Sequence, residues 1–202
     1  MNLEKEVIGE INKDIFTSKK SEFINKFGNP VIKRRLGMMV FDRNNPQVDT
    51  RVRVTNGKAE IMQKVIQSDD GHGHSEKLEI SIKIPDNVEA AFDAFKTYRN
   101  LLAKNYSEKL ILLLVQTENF IWSTKDFELK LSYQFGKNDY FTFEIEALSE
   151  GCDVRETQKS LGLAPIENHA SPERKIFRAT QVDLDASKMS DQEVKAVIGH
   201  YF

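Results

Sequence analysis

The chain has 202 residues, 29 basic and 31 acidic side chains, a formal net charge of -2 and one cysteine, Cys152. That length suits one well-buried core, and near-neutral charge gives no reason to expect a nucleic-acid partner or an acidic membrane, so any affinity for phosphate has to come from local arrangement. A single cysteine excludes an intramolecular disulfide and a thiolate zinc cluster within one chain. No apolar run approaches membrane-spanning length, Leu110 to Val115 being the longest aliphatic stretch, and with the charged start Met1 to Glu6 the expectation is a soluble protein of the reducing cytoplasm.

Taken in chain order, the sequence predicts an opening strand over Leu3 to Glu10 and a first helix over Lys13 to Phe27. The next element lies around Asp49 to Thr55. Asn56-Gly57 then separates Arg51-Val52-Arg53-Val54 from Ala59-Glu60-Ile61-Met62, the strongest short-range hairpin signal. A loop over Ser68 to Ser75 joins Ala59 to Ile66 with Lys77 to Ile84, so three consecutive antiparallel strands are expected. Pro85-Asp86 leads into a helix over Asn87 to Leu102, with Asp86 as N-cap and Val88, Ala91, Phe92, Phe95 and Tyr98 as its apolar stripe. Further strands follow at Leu110 to Thr117, Asn119 to Ser123, Phe127 to Tyr133 and Tyr140 to Leu148, with Gly136 to Asp139 turning into the last. Helical pieces near Val154 to Leu161 and Ser190 to Ile198 end the chain. This order reads as α+β: one domain over 1–202 built on a closed or nearly closed antiparallel β-barrel with flanking helices, residues 167–202 forming a helical C-terminal tail.

Alternation assigns the strand faces. Asp49, Arg51, Arg53 and Thr55 share one side; so do Glu60, Met62 and Lys64; Glu79, Ser81 and Lys83; Glu128, Lys130 and Ser132; Thr142, Glu144 and Glu146; and Glu4 with Glu6. One solvated face is ordinary for an antiparallel sheet, and each strand alone carries that bland reading. The recurrence of Arg-x-Arg and Glu-x-Glu on distant strands is what points further, because a closed sheet brings these faces together. Carboxylates two apart on a strand stand about 7 Å apart, within reach of one hydrated Mg²⁺ or Mn²⁺. Arginine forks and lysines hold phosphate oxygens, and a metal polarises a phosphorus under attack by water.

These residues resemble the CYTH superfamily, the triphosphate tunnel metalloenzymes, which include thiamine triphosphatases, inorganic triphosphatases, class IV adenylate cyclases and RNA triphosphatases of the fungal and viral type. The resemblance runs from Glu4 to about Ile166. It rests on Thr50 to Val54 followed by Gly57-Lys58-Ala59 and Lys64, on Phe143-Glu144-Ile145-Glu146, and on Ser160-Leu161-Gly162-Leu163. It implies a β-tunnel and a metal-dependent phosphohydrolase acting on an inorganic, nucleoside or thiamine-type triphosphate. Glu144, Glu146 and Lys64 would be catalytic; Arg51, Arg53, Lys58, Lys83 and Lys130 would bind substrate; Glu4, Glu6, Glu79, Glu128, Glu144 and Glu146 would surround Mg²⁺ or Mn²⁺. Adenylate cyclase activity is a lesser option, since nothing marks an adenine pocket. Two departures stand out. Ile8 sits where the family's Glu-x-Glu-x-Lys motif has its cation, and Leu110 to Thr117 offers only Gln116 where another basic residue is expected. Ile8 favours the alternative of a non-catalytic module that binds a polyphosphate or phosphoryl ligand.

Three other features carry a weaker signal. His72-x-His74 beside Asp69-Asp70 could bind a transition metal, but a Gly-rich loop between strands is more often a solvated one. Lys33-Arg34-Arg35 reads as a solvated edge, with a contact to nucleic acid or to the substrate at the tunnel mouth as the sharper alternative. Cys152 has no histidine near it in sequence.

Overall fold

The computed structural model describes residues 2–42, 48–69, 74–105, 110–167 and 171–202. Asp70 and His72 fall outside these, as do the side chains of Glu4, Asp69 and His74, so the histidine-loop reading lies beyond the described residues. Strands β1 (Asn2–Ile11), β2 (Val31–Asp42), β3 (Val48–Thr55), β4 (Lys58–Asp69), β5 (His74–Lys83), β6 (Leu110–Ser123), β7 (Phe127–Phe135) and β8 (Tyr140–Ala147) are ordered β2-β3-β4-β5-β1-β8-β7-β6, and β2 pairs again with β6. That last pairing closes an eight-stranded antiparallel barrel. A barrel of this size is just wide enough for inward side chains or one small ligand.

Three elements differ from the expectation. The strand β2 was not foreseen, because Val31-Ile32-Lys33-Arg34-Arg35-Leu36-Gly37-Met38-Met39 does not alternate cleanly; yet it is the strand that closes the barrel. Leu110 to Ser123 is one strand rather than two, its Thr117-Glu118 continuing the ladder against both β2 and β7. Helix α2 (Val88–Asn105) is capped by Asn87, whose side-chain oxygen accepts from the Ala90 N–H at 2.8 Å; Asp86 instead accepts from the Ala59 N–H and from Lys58. The Asn56-Gly57 turn is as predicted, with φ of 46° and 77°, the left-handed pair that a two-residue hairpin requires.

Helices cover the barrel from two sides. Helix α1 (Lys13–Phe27), capped by Asn12, sinks Phe16 and Phe23 among Val7, Ile11, Phe120, Trp122, Leu129, Leu131, Phe143 and Ile145. Helix α2 lays Ala91, Phe92 and Phe95 on Leu36, Met38, Val52, Val54 and Leu114, and α5 (Asp191–Gly199) adds Val194 and Ile198 to the same cluster. Because these apolar residues point outward into helices, the alternate residues of the same strands point into the barrel. The interior therefore carries the charged residues, with Ile8, Met62, Leu113 and Ile121 among them, and the two main hydrophobic clusters lie outside it.

Between α3 (Val154–Ser160) and α5, the chain forms α4 (Pro172–Phe177), a π-helical turn Arg178–Val182 and a short strand β9 (Leu184–Asp185) paired with β6. This segment meets inward polar residues at one end of the barrel. Arg174 donates to both Glu10 carboxylate oxygens, at 2.8 and 2.5 Å; Arg178 donates to the Tyr140 hydroxyl at 3.4 Å; Gln134 donates to Asp183. Burial pushes the Asp183 carboxyl up to about 6 against the pull of Gln134, Arg178, Lys137 and Arg51. A carboxyl raised on folding contributes its stability below its unfolded value and loses it as pH rises through the folded one. At about 1.4 kcal/mol per pH unit, the window from 3.8 to about 6 corresponds to roughly 3 kcal/mol. Asp183→Asn keeps the acceptor for Gln134 and removes the charge, so it is expected to stabilise the protein near pH 7.5 and to leave pH 4 stability unchanged, measured by urea unfolding of both proteins at each pH.

Candidate functional site

The inward faces assemble as one charged lumen. Register places Arg53 opposite Glu60, Glu60 opposite Lys83, and Lys64 opposite Glu79. The Arg53 guanidinium donates to Glu60 at 2.8 Å and to Glu79 at 3.4 Å, and Lys64 reaches Glu79 at 3.2 Å. Burial raises the Glu79 carboxyl, but Lys64 and Arg53 outweigh it and leave it below the usual range. From β1, Glu6 is 1% exposed and takes a proton donor, Lys77, on one oxygen; its Oε2 has no hydrogen-bond partner, and Lys64 Nζ stands 4.0 Å from it.

Facing these, Glu144 on β8 is joined by Lys130 of β7 at 2.5 Å. Burial works against its ionised form, yet Lys130, Lys64 and Lys77 hold it down at about 2. Glu6 moves the other way. Burial and the Glu144 charge raise its carboxyl above the ordinary value, with Lys77 and Lys64 opposing. The two carboxylates thus share one field, and the same ammonium groups balance both.

Arg35 is the wall residue that sequence reasoning placed on a solvated edge. Its neighbours divide between faces: Arg34 points outward to Glu118 at 3.5 Å, whereas Arg35 points inward and donates to Thr55 Oγ1 at 3.2 Å. Burial, with Arg53 and Arg51 beside it, pulls the guanidinium down to about 10, so it remains cationic at neutral pH; Glu144 and Glu60 pull the other way. Gly37 lies beside the Arg51 side chain on the same inward face, and a Cβ there would make ordinary contact with Arg51 Cδ at 3.4 Å. The signal that could have found Arg35 is its spacing from Gly37 and Met39 on one face, which is visible only once Val31 to Asp42 is read as a strand.

Other predicted residues sit elsewhere. Lys58 is 81% exposed at the β3–β4 turn and pairs with Asp86 at 2.9 Å, so it does not stand in for the missing cation at Ile8. Lys83 is exposed at the barrel rim, and Glu128 accepts from Ser123 at 3.3 Å. Gln116 faces outward and accepts from the Tyr201 hydroxyl, so the polar part of the β6 wall is Thr117 and Asn119, which share their face with Leu113, Val115 and Ile121. Ile8 lies in register with Glu144, whose other neighbour across the ladder is Lys130. Among the described residues no three His, Cys, Asp or Glu side chains group as a metal cluster. A hydrated Mg²⁺ held by one or two carboxylates and by phosphate oxygens needs no such cluster, and the buried, unpartnered Glu6 Oε2 next to Glu144 fits that mode of binding.

No protein-family model matches the sequence, and no curated protein matches it significantly. Solved structures do. A putative adenylate cyclase from Bacillus halodurans superposes with a TM-score of 0.55 at 15% identity, over 83% of this chain and 95% of that one. A putative adenylyl cyclase from Hippeastrum, described as having a dominant triphosphatase activity, gives 0.51 at 12% identity over 98% and 96%. The capping enzyme triphosphatase of Mimivirus gives 0.52 at 12% identity over 80% and 87%. What is shared at these identities is architecture. The chain therefore shares the fold of these adenylate cyclase-like and triphosphatase structures, a closed antiparallel barrel with flanking helices.

Proposed function

We propose that the lumen binds the triphosphate group of a small molecule or inorganic polyphosphate and hydrolyses it with Mg²⁺ or Mn²⁺. The observation that carries this reading is the division of the closed wall: Arg35, Arg51, Arg53 and Lys64 on β2 to β4 face the buried carboxylates Glu6 and Glu144 on β1 and β8. Arginine forks at one side would take phosphate oxygens two at a time. Lys64 and Lys77 would neutralise charge on the transferred phosphoryl group. Glu6 and Glu144, with Glu146 next on the same face and Glu4 on β1, would hold the metal, which when bound supplies Lewis-acid polarisation of the phosphate and orientation of a water. Glu79 and Glu60 act differently: they hold Lys64 and Arg53 in place.

A second reading, binding without turnover, is favoured by Ile8, because an apolar side chain beside Glu144 removes a cation that would act on the transition state. Phosphate release from tripolyphosphate and from ATP, with Mg²⁺, with Mn²⁺ and with neither, separates the two, using Glu144→Ala/Glu146→Ala as control. Metal-dependent release that this variant loses supports the hydrolase. Binding of tripolyphosphate with no release selects the binding module, and absence of both overturns the proposal.

A further inference from the structure

Glu6 and Glu144 are neighbours with unlike surroundings. One oxygen of Glu6 is buried without a hydrogen bond, whereas Glu144 is covered by the Lys130 ammonium at 2.5 Å, both side chains being largely buried. The β8 ladder explains why the cation comes from that side: Glu144 is flanked by Ile8 on β1, which offers no charge, and by Lys130 on β7. An ammonium at that distance takes the position around the oxygen that a divalent ion, bonding at about 2.0 to 2.1 Å, would need. The ammonium and a divalent ion therefore compete for Oε1 and repel one another across the same carboxylate. We propose that Lys130 is a built-in competitor for the divalent metal on Glu144, so that the free tunnel resists the bare ion and admits it only when a phosphate chain draws the ammonium away.

This rests on the triphosphate reading and deepens it, since it fixes the order of events: the anion binds the cationic wall, Lys130 turns from Glu144 to phosphate oxygens, and the carboxylate pair then becomes available. Lys130 thus guards the carboxylate in the free tunnel and contacts the phosphate in the occupied one. Lys64 and Lys77 do not fill the same role, because they serve Glu6 and Glu79 as well and still leave Glu6 Oε2 without a hydrogen bond.

The test reads binding rather than turnover. Mn²⁺ alone, titrated by electron paramagnetic resonance against the full chain, is expected to bind Lys130→Met about tenfold or more tightly than the unaltered protein, because a buried carboxylate has lost its counter-ion. Lys130→Met/Glu144→Gln is expected to lose that gain. Thermal melting provides a second readout: Mn²⁺ should raise the Tm of Lys130→Met by more than it raises that of the unaltered chain. Lys130→Gln, which removes the charge and keeps a shorter, neutral donor, is held to the same criterion if the methionine variant fails to fold. Equal or weaker Mn²⁺ binding by the lysine variants, or a gain that survives Glu144→Gln, overturns the proposal. Tripolyphosphate titrated in the absence of metal distinguishes the two levels: if it binds while the Mn²⁺ gain is missing, only the role of Lys130 fails; if it does not bind, the triphosphate reading fails.

Discussion

Arg53→Ala is expected to lower tripolyphosphate affinity by about a hundredfold, measured by calorimetry at about 0.15 M ionic strength. Two charge-assisted hydrogen bonds from one guanidinium contribute about 1.5 kcal/mol or more each, and a loss near 3 kcal/mol is a factor of about 100. The surroundings push in the same direction. Arg53 bridges Glu60 and Glu79 from a side chain only 12% exposed, so its removal leaves two wall carboxylates short of a cation and makes the lumen more repulsive to an anion. Arg53→Lys keeps the charge but has a single ammonium for two carboxylates and one phosphate, and is expected to fall between. An affinity unchanged within about twofold in Arg53→Ala would remove this wall from the binding site.

Phe143→Ala is expected to cost about 3 to 5 kcal/mol of stability and to lower Tm by about 10 °C, measured by urea unfolding and by melting. The ring is fully buried in the core under α1 and fits against a backbone that has no side chain at that point, since a Cβ on Gly9 would come within 2.3 Å of it. Phe143 and Glu144 are consecutive on β8, one facing the outer core and the other the lumen, so a cavity at 143 also loosens the strand that presents the carboxylate. Phe143→Leu retains most of the buried volume and should cost less than about 1.5 kcal/mol. A change below about 1 kcal/mol in Phe143→Ala would contradict the packing described here.

The faces of most strands were legible because period-two alternation is local: Val52 and Val54 against Arg51 and Arg53, or Phe143 and Ile145 against Glu144 and Glu146, need no partner strand to be read. Asn56-Gly57 carried its turn for the same reason, as left-handed backbone at two consecutive residues is written in the residue types themselves. Where alternation failed, so did the reading. In β2 the run Lys33-Arg34-Arg35 puts cations on both faces, and only pairing with β3 and β6 separates the inward Arg35 from the outward Arg34. Asp86 and Asn87 are both good caps, and which one is used depends on Asp86 being taken by the Ala59 N–H across the hairpin.

The sequence by itself determined that this chain has several half-polar antiparallel strands with arginine and glutamate pairs in phase, and that it resembles the triphosphate tunnels. Only the tertiary structure decided which cation meets which carboxylate. Barrel closure through β2 and β6 sets those distances, and Coulomb energy depends on distance and burial rather than on spacing along the chain. Ile8 shows the difference. In sequence it is a gap in a motif; in the barrel it is one flank of Glu144, and Lys130, 122 residues on in the sequence, supplies the charge from the other.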